Sequence, residues 1–180
     1  MFEDQRLLSR LRAGDKDALR RIYEKYIDDL LRVAASLLSD IQSAEDCLHD
    51  VFVSFAGTVD GSVIQSNLKS YLISCVANRA RDQLRSKARQ SNFQLEQLSS
   101  RPVSTNPTKQ LIEAEESARV FDALAELPYQ QREVFVLRVQ GQMRFREIAS
   151  LLNLSINSVQ SRYRYAIDKL RIILSEEKPE

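Results

Sequence analysis

The chain has 180 residues, with 26 Lys and Arg against 25 Asp and Glu, one His and a formal charge of +1. Four glycines, four prolines and no Trp supply too little turn chemistry for a sheet-rich fold, while 43% hydrophobic residues are enough for a buried core. Near-neutrality speaks at first sight against a nucleic-acid partner, and no apolar run approaches the ~20 residues of a membrane span, so no membrane insertion is expected.

The first part of the chain reads as four helices. Residues 4–13 form a short one, and Gly14-Asp15 ends it and caps a second over 16–38. Ser43 is expected to cap a third over 44–56, with Glu45 and Asp46 in the first turn, where the helix dipole favours acids. Leu48, Val51, Phe52 and Phe55 of that helix face inward, which leaves Asp46, His49, Asp50 and Val53 around the rest of its surface. Residues 57–66 contain two of the four glycines and are expected to be a loop. Asn67 then opens a fourth helix reaching Arg89. One side of it carries Leu68, Leu72, Cys75, Val76 and Arg79, and the other carries Ser74, Asn78, Arg81 and Arg85. A polar, cationic stripe of this kind suits a nucleic-acid strand, and suits an ordinary solvated face equally well. Arg79 projects to the apolar side and is expected to pair with a carboxylate such as Asp82, or to snorkel.

Residues 90–107 are rich in Ser, Asn, Gln and Pro without apolar periodicity and read as a flexible linker. Asn106-Pro107 resembles an N-cap followed by a first-turn Pro. Beyond it the pattern predicts helices over 108–127, 130–139, 145–152 and 155–174, broken at Pro128, Gly141 and Asn153. Phe145, Ile148, Ala149 and Leu152 share one face, Asn153 takes a left-handed C-terminal position and Ser155 caps the last helix. Val159, Ala166, Ile167 and Leu170 continue the apolar stripe. This is a helix-turn-helix pattern, whose second helix presents Asn157, Ser158, Gln160, Ser161, Arg162, Arg164 and Tyr165 outward, side chains suited to major-groove edges and phosphates. A helical hairpin with a solvated polar face is the alternative.

The charge is blocked rather than spread: net −4 over 1–60, +4 over 61–100, −2 over 101–127 and +3 over 128–180. A partner meets the local field, which the sum conceals. His49 is the only histidine and Cys47 lies 28 positions from Cys75, so neither a zinc site nor a catalytic triad can be assembled. Neither enzyme activity nor a cofactor is expected. Two cysteines without a secretory leader lead to the expectation of a reduced, cytoplasmic protein. Only four residues follow position 176, so no further regulatory domain is expected.

In order, these segments resemble the extracytoplasmic-function group of the sigma-70 family. LLRVAASLLSDIQSAEDCLHDVFVSF is similar to the part of region 2 that docks on core RNA polymerase, with Asp46, His49 and Asp50 where the family has acid, usually Gln, and acid. NLKSYLISCVANRARDQLRSKAR is similar to the helix that meets the −10 element, with Asn78, Arg79 and Asp82 in its N-R-x-x-D positions. LPYQQREVFVLR and FREIASLLNLSINSVQSRYRYAIDKLR are similar to region 4, the −35 reader.

The resemblance implies an all-α fold of two modules, region 2 over 1–89 and region 4 over 108–180, joined by the 90–107 linker. It implies a sigma factor that binds core polymerase through Asp46, His49, Asp50 and Val53 on the β′ clamp helices, while region 4 meets the β flap. It implies −35 contacts from Ser155, Asn157, Ser158, Gln160, Ser161, Arg162, Arg164 and Tyr165, and −10 contacts from Asn67, Lys69, Ser74, Asn78, Arg81 and Arg85. Promoter DNA would be melted and a base captured by the 57–67 loop beside Asn78, without nucleotide hydrolysis, and an anti-sigma factor would control the protein. Ala56 and Tyr71 depart from the family where many members have Trp, and the sequence of the capture loop is unusual. A stand-alone helix-turn-helix regulator is the alternative function.

Overall fold

In a computed structural model, residues 2–57, 67–91 and 111–176 are described. Among them are eight helices: α1 (Phe2–Arg12), α2 (Lys16–Leu38), α3 (Ile41–Gly57), α4 (Leu68–Ser91), α5 (Leu111–Ala125), α6 (Tyr129–Val139), α7 (Phe145–Leu152) and α8 (Ile156–Glu176). The described residues contain no strand. The expected capture loop beyond Gly57, most of the expected linker and the Asn106-Pro107 helix start lie outside the described residues.

Local chemistry sets the helix ends. Gly14 adopts φ +84, a conformation favoured by the absence of a Cβ, and the Asp15 carboxylate then accepts from the Asp17 backbone N–H at 2.9 Å to start α2. α3 begins earlier than the sequence pattern suggests. Asp40, not Ser43, is its cap: the carboxylate accepts from the Ser43 backbone N–H at 2.9 Å and also from the Ser43 hydroxyl. Ser43 therefore sits inside the first turn. Asn67 caps α4 by accepting from Lys69 N–H at 3.0 Å.

α2 is the central element, with Ile22, Leu30, Val33 and Leu37 fully buried. α1 lies along it, pinned by Lys25 to Glu3 (2.6 Å) and Asp4 (2.8 Å), with the Tyr26 hydroxyl donating to Asp4 (2.8 Å). α3 packs through Cys47, Leu48, Val51, Phe52 and Phe55, and the Phe52 ring meets Tyr23 edge-on at 4.9 Å. α4 completes the first bundle with Leu68, Leu72, Ile73, Val76, Ala77 and Ala80.

The second bundle is built on α8, which packs against α5, α6 and α7. Val159, Ala166 and Leu170 are buried there, and Ile167 is half-buried. Tyr163 stacks on Phe135 at 6.1 Å and meets Phe145 edge-on at 5.4 Å, tying α8 to α6 and α7 at once. The two bundles also touch each other, because α6 packs on α2. No helix of the described residues is long and apolar enough to cross a membrane.

Candidate nucleic-acid and protein interfaces

The helix-turn-helix geometry follows the sequence closely. Asn153 ends α7 at φ 52, and its N–H reaches back to the carbonyls of Ala149 and Ser150. Ser155 starts α8 by accepting from Ser158 N–H at 3.0 Å, and its hydroxyl lies 2.8 Å from that of Ser158. Those two serines are thus partly engaged in capping. Asn157, Gln160, Arg164 and Tyr165 are exposed, Ser161 and Arg162 are half-buried, and the Arg164 guanidinium lies 5.8 Å from the centre of the Tyr165 ring. Asn157, Gln160, Ser161 and Arg164 line a shallow depression of about 480 Å³ floored by Phe145 and Tyr163. Behind it, Arg138 donates to the Met143 carbonyl at 3.0 Å and stacks over Phe145 at 5.0 Å, which fixes the angle between α6 and α7.

On α4 the expected stripe is divided. Asn78 and Arg85 are exposed, and Arg85 lies near Asp82 at 3.7 Å. Asn67 is exposed as the cap, and Lys69 pairs with Asp29 of α2 at 2.6 Å. Ser74 donates to its own helix at Ser70 O, 2.8 Å away. Arg81 is turned away from solvent: its Nε donates at 2.7 Å to Glu133 of α6, whose side chain is only 5% exposed. Arg79 pairs with Asp50 of α3, with Nε 3.0 Å from the carboxylate, and Asp82 is not its partner. The reason is geometric: α3 lies against α4 and brings the Asp50 carboxylate to Arg79, whereas Asp82 lies 3.7 Å from Arg85.

The four positions expected to meet a protein lie on one flank of α3. Asp46, His49 and Val53 are exposed, Val53 at 60%, and Asp50 is half-exposed beside Arg79. His49 and Val53 also line an apolar groove of about 490 Å³ between α2 and α3. Its opposite wall is Leu19, Tyr23, Ile27 and Leu31, with Glu45 at the rim. Sequence reasoning missed these α2 residues, although their spacing of four marks a second apolar stripe beside the core stripe Ala18, Ile22, Tyr26 and Leu30.

The thiols are chemically quiet. Burial pushes Cys47 up to about 12 and also raises Cys75, so neither carries appreciable thiolate at neutral pH. Among the described residues no three His, Cys, Asp or Glu side chains converge as a metal site would require.

Comparison with known proteins bears on both bundles. Residues 22–90 match the family model "Sigma-70 region 2" and residues 117–170 match "Sigma-70, region 4". The chain is 30% identical over 162 residues to the RNA polymerase sigma-E factor of Streptomyces avermitilis, covering 83% of each chain. It is 21% identical over 173 residues to the ECF RNA polymerase sigma factor SigW of Bacillus subtilis, covering 91% of this chain and 92% of that one. In fold it is similar to CnrH, solved in complex with the cytosolic domain of CnrY, at a TM-score of 0.70 and 22% identity over 98% of this chain and 99% of the other. It is also similar to the sigma factor RpoE of Bartonella quintana, solved with the anti-sigma factor NepR, at a TM-score of 0.66 and 22% identity over 88% and 99%.

Proposed function

Given that the chain belongs to the extracytoplasmic-function group of the sigma-70 family, and is an RNA polymerase sigma factor, we propose how its surfaces divide that work. The α2–α3 groove and the acidic flank of Asp46, His49, Asp50 and Val53 take the β′ clamp helices of core polymerase. Exposed apolar walls supply burial, and the carboxylates supply orientation towards a basic partner. α8 lies in the −35 major groove, with Asn157, Gln160, Ser161 and Arg164 at base edges and Ser155, Ser158, Arg162 and Tyr165 positioning it. Region 4 meets the β flap.

α4 faces the −10 element with Asn67, Asn78 and Arg85, while Lys69, Ser74 and Arg81 join them only by leaving Asp29, the Ser70 carbonyl and Glu133, and a base is captured beside Asn78. Strand separation draws on binding energy alone, and the chain itself catalyses no reaction. The role sets the protein in the cytoplasm, and a separate anti-sigma factor holds it inactive. The complexes of CnrH with CnrY and of RpoE with NepR support that last point.

One observation carries this reading: α8 exposes Asn157, Gln160, Arg164 and Tyr165 directly after a helix-turn-helix, while α2 and α3 leave an apolar groove with Glu45 and His49 in its lining. The test compares promoter binding by the free chain and by the chain loaded on core polymerase. Weak duplex binding alone and sequence-specific binding with core is the expected result. Tight, specific duplex binding by the free chain would instead identify a stand-alone helix-turn-helix regulator.

A further inference from the structure

The only histidine of the chain stands in the middle of the surface proposed for core polymerase. His49 belongs to both parts of that surface. Its side chain lines the apolar groove, across from Leu19, Tyr23, Ile27 and Leu31 of α2, and it sits among the carboxylates Glu45, Asp46 and Asp50 of α3. It is 79% exposed, and its Nδ1 lies 4.0 Å from Asp50 Oδ1. That separation is too long for a hydrogen bond, so Asp50 does not hold the ring in one tautomer.

The two helices packed on α3 supply the remaining charges. On α2 the groove wall carries one titratable group, the Tyr23 phenol. Next to that wall, Arg20 pairs with Asp17 at 3.0 Å and lies 3.8 Å from Glu24, Arg32 lies 3.8 Å from Asp29, and Asp28 adds a further carboxylate. On α4, Arg79 is bound to Asp50, and Lys87 donates at 2.8 Å to Ser43, six positions before His49. Cys47 is buried on the far side of α3, against the Val76 carbonyl of α4. Carboxylates, phenols, ammonium and guanidinium groups ordinarily keep their charge between about pH 6 and about pH 8, whereas imidazole changes its own there.

We propose that a proton on His49 weakens the hold of the α2–α3 groove on core polymerase, so that the neutral imidazole is the docking form. The inference rests on the assignment of this flank to the β′ clamp helices. Two effects act in the same direction. A charged ring cancels part of the acidic field that attracts a basic partner. Docking also seats the ring against apolar side chains, where an imidazolium loses its hydration. Asp50 opposes them, because a carboxylate 4.0 Å away favours the charged ring. That pull is strongest in the free chain. On docking, the same carboxylate is shared between Arg79 and the cations of the partner. The ring therefore gives its proton to solvent as the partner docks, and affinity rises with pH until the free ring is neutral.

The test measures the affinity of the labelled full chain for purified core polymerase by fluorescence anisotropy, at two pH values and one ionic strength. The readout is the ratio of affinities across pH, not their level. Wild-type affinity should fall about 3-fold from about pH 8 to about pH 6, the loss for an imidazole whose pKa drops from about 6.5 to about 5.5 on docking. His49→Gln, which carries no titrating group, should give a ratio near one. His49→Lys, with a fixed charge, should bind more weakly than His49→Gln at both pH values. Calorimetry in two buffers of different ionisation enthalpy should show more proton release with the wild type than with His49→Gln.

A wild-type ratio near one would overturn the proposal, as would a fall that persists in His49→Gln, which would belong to core polymerase itself. Asp50→Arg separates the two levels of the argument. Core binding that survives Asp50→Arg would overturn the assignment of the flank, and the proposal with it. Core binding lost in Asp50→Arg, with equal ratios for the wild type and His49→Gln, would overturn the pH dependence alone.

Discussion

Arg164 is the cation that lines the depression of α8, and its guanidinium lies over the Tyr165 ring. Arg164→Ala should therefore remove a base or phosphate contact without disturbing the fold. Transcription from a −35-dependent promoter should fall by the equivalent of about 1–3 kcal/mol if the contact is bidentate to a base, with the melting temperature unchanged. Asp50 is different, because it is shared between two roles. It lies on the flank proposed for core polymerase and also pairs with Arg79, both side chains nearly half-exposed. Such exposed pairs contribute about 0.2–1 kcal/mol, so Asp50→Arg should lower stability only slightly while abolishing core binding. A pull-down with core polymerase and a thermal melt separate the two effects, and global unfolding would refute the surface assignment. At this scale the helix-turn-helix was legible down to Asn153 and Ser155, because left-handed and capping positions select particular residue types. The Arg79 partner was not, because only the tertiary contact of α3 with α4 decides between Asp50 and Asp82.

At the scale of elements, caps and stripes do most of the specifying. The Ser43 hydroxyl and backbone N–H both donate to Asp40 and hold its carboxyl below the ordinary value. Its contribution is therefore complete above the unfolded carboxylate pKa of about 4 and disappears as pH falls through the lower folded value. Asp40→Ala should cost about 1 kcal/mol at neutral pH, and thermal melts should show the difference between the two proteins shrinking in acid. Asn153→Ala should cost about 1 kcal/mol by forcing a Cβ-bearing side chain without Asn's local hydrogen bonding into φ 52, while Asn153→Gly should be tolerated.

Helices α2 and α7 begin and end at the residues expected, since Asp15, Gly14 and Asn153 punctuate them. The α3 start shifted because Asp40 reaches the first-turn N–H groups that Ser43 was expected to serve. The second stripe on α2, Leu19, Tyr23, Ile27 and Leu31, was present in the sequence as a regular spacing of four. Beside a stronger core stripe it reads as helix thickness, until α3 is seen to leave it as one wall of a groove.

For the whole molecule, the charge blocks describe surfaces with different work. The −4 block carries the groove proposed for polymerase, and the +4 block carries the helix proposed for melted DNA. Near-neutrality is then cancellation between faces. It is consistent with a protein that binds DNA weakly until core polymerase joins it.

The linear pattern gave little sign of the docking of region 4 on region 2. The stripe Ser74, Asn78, Arg81 and Arg85 looks uniform along α4, yet Arg81 is covered because Glu133 approaches from a helix 52 positions away. The run Val33 to Leu38, in which Ser36 is the single polar residue, was the one local sign that something besides α3 and α4 covers α2. Gly141→Ala should disturb the end of α6, since its Cβ would sit 2.6 Å from the Leu137 carbonyl, and crowd Ile73 of α4 at 3.3 Å across the contact; a loss of about 1–3 kcal/mol is expected in a melt.

The most direct measurement of the central claim is multi-round transcription by purified core polymerase on a genomic DNA library, with and without this chain. Discrete promoter-dependent transcripts should appear only when the chain is added and should be lost with Asp50→Arg. Stable binding to core with no new transcripts, or DNA binding that needs no core, would contradict it.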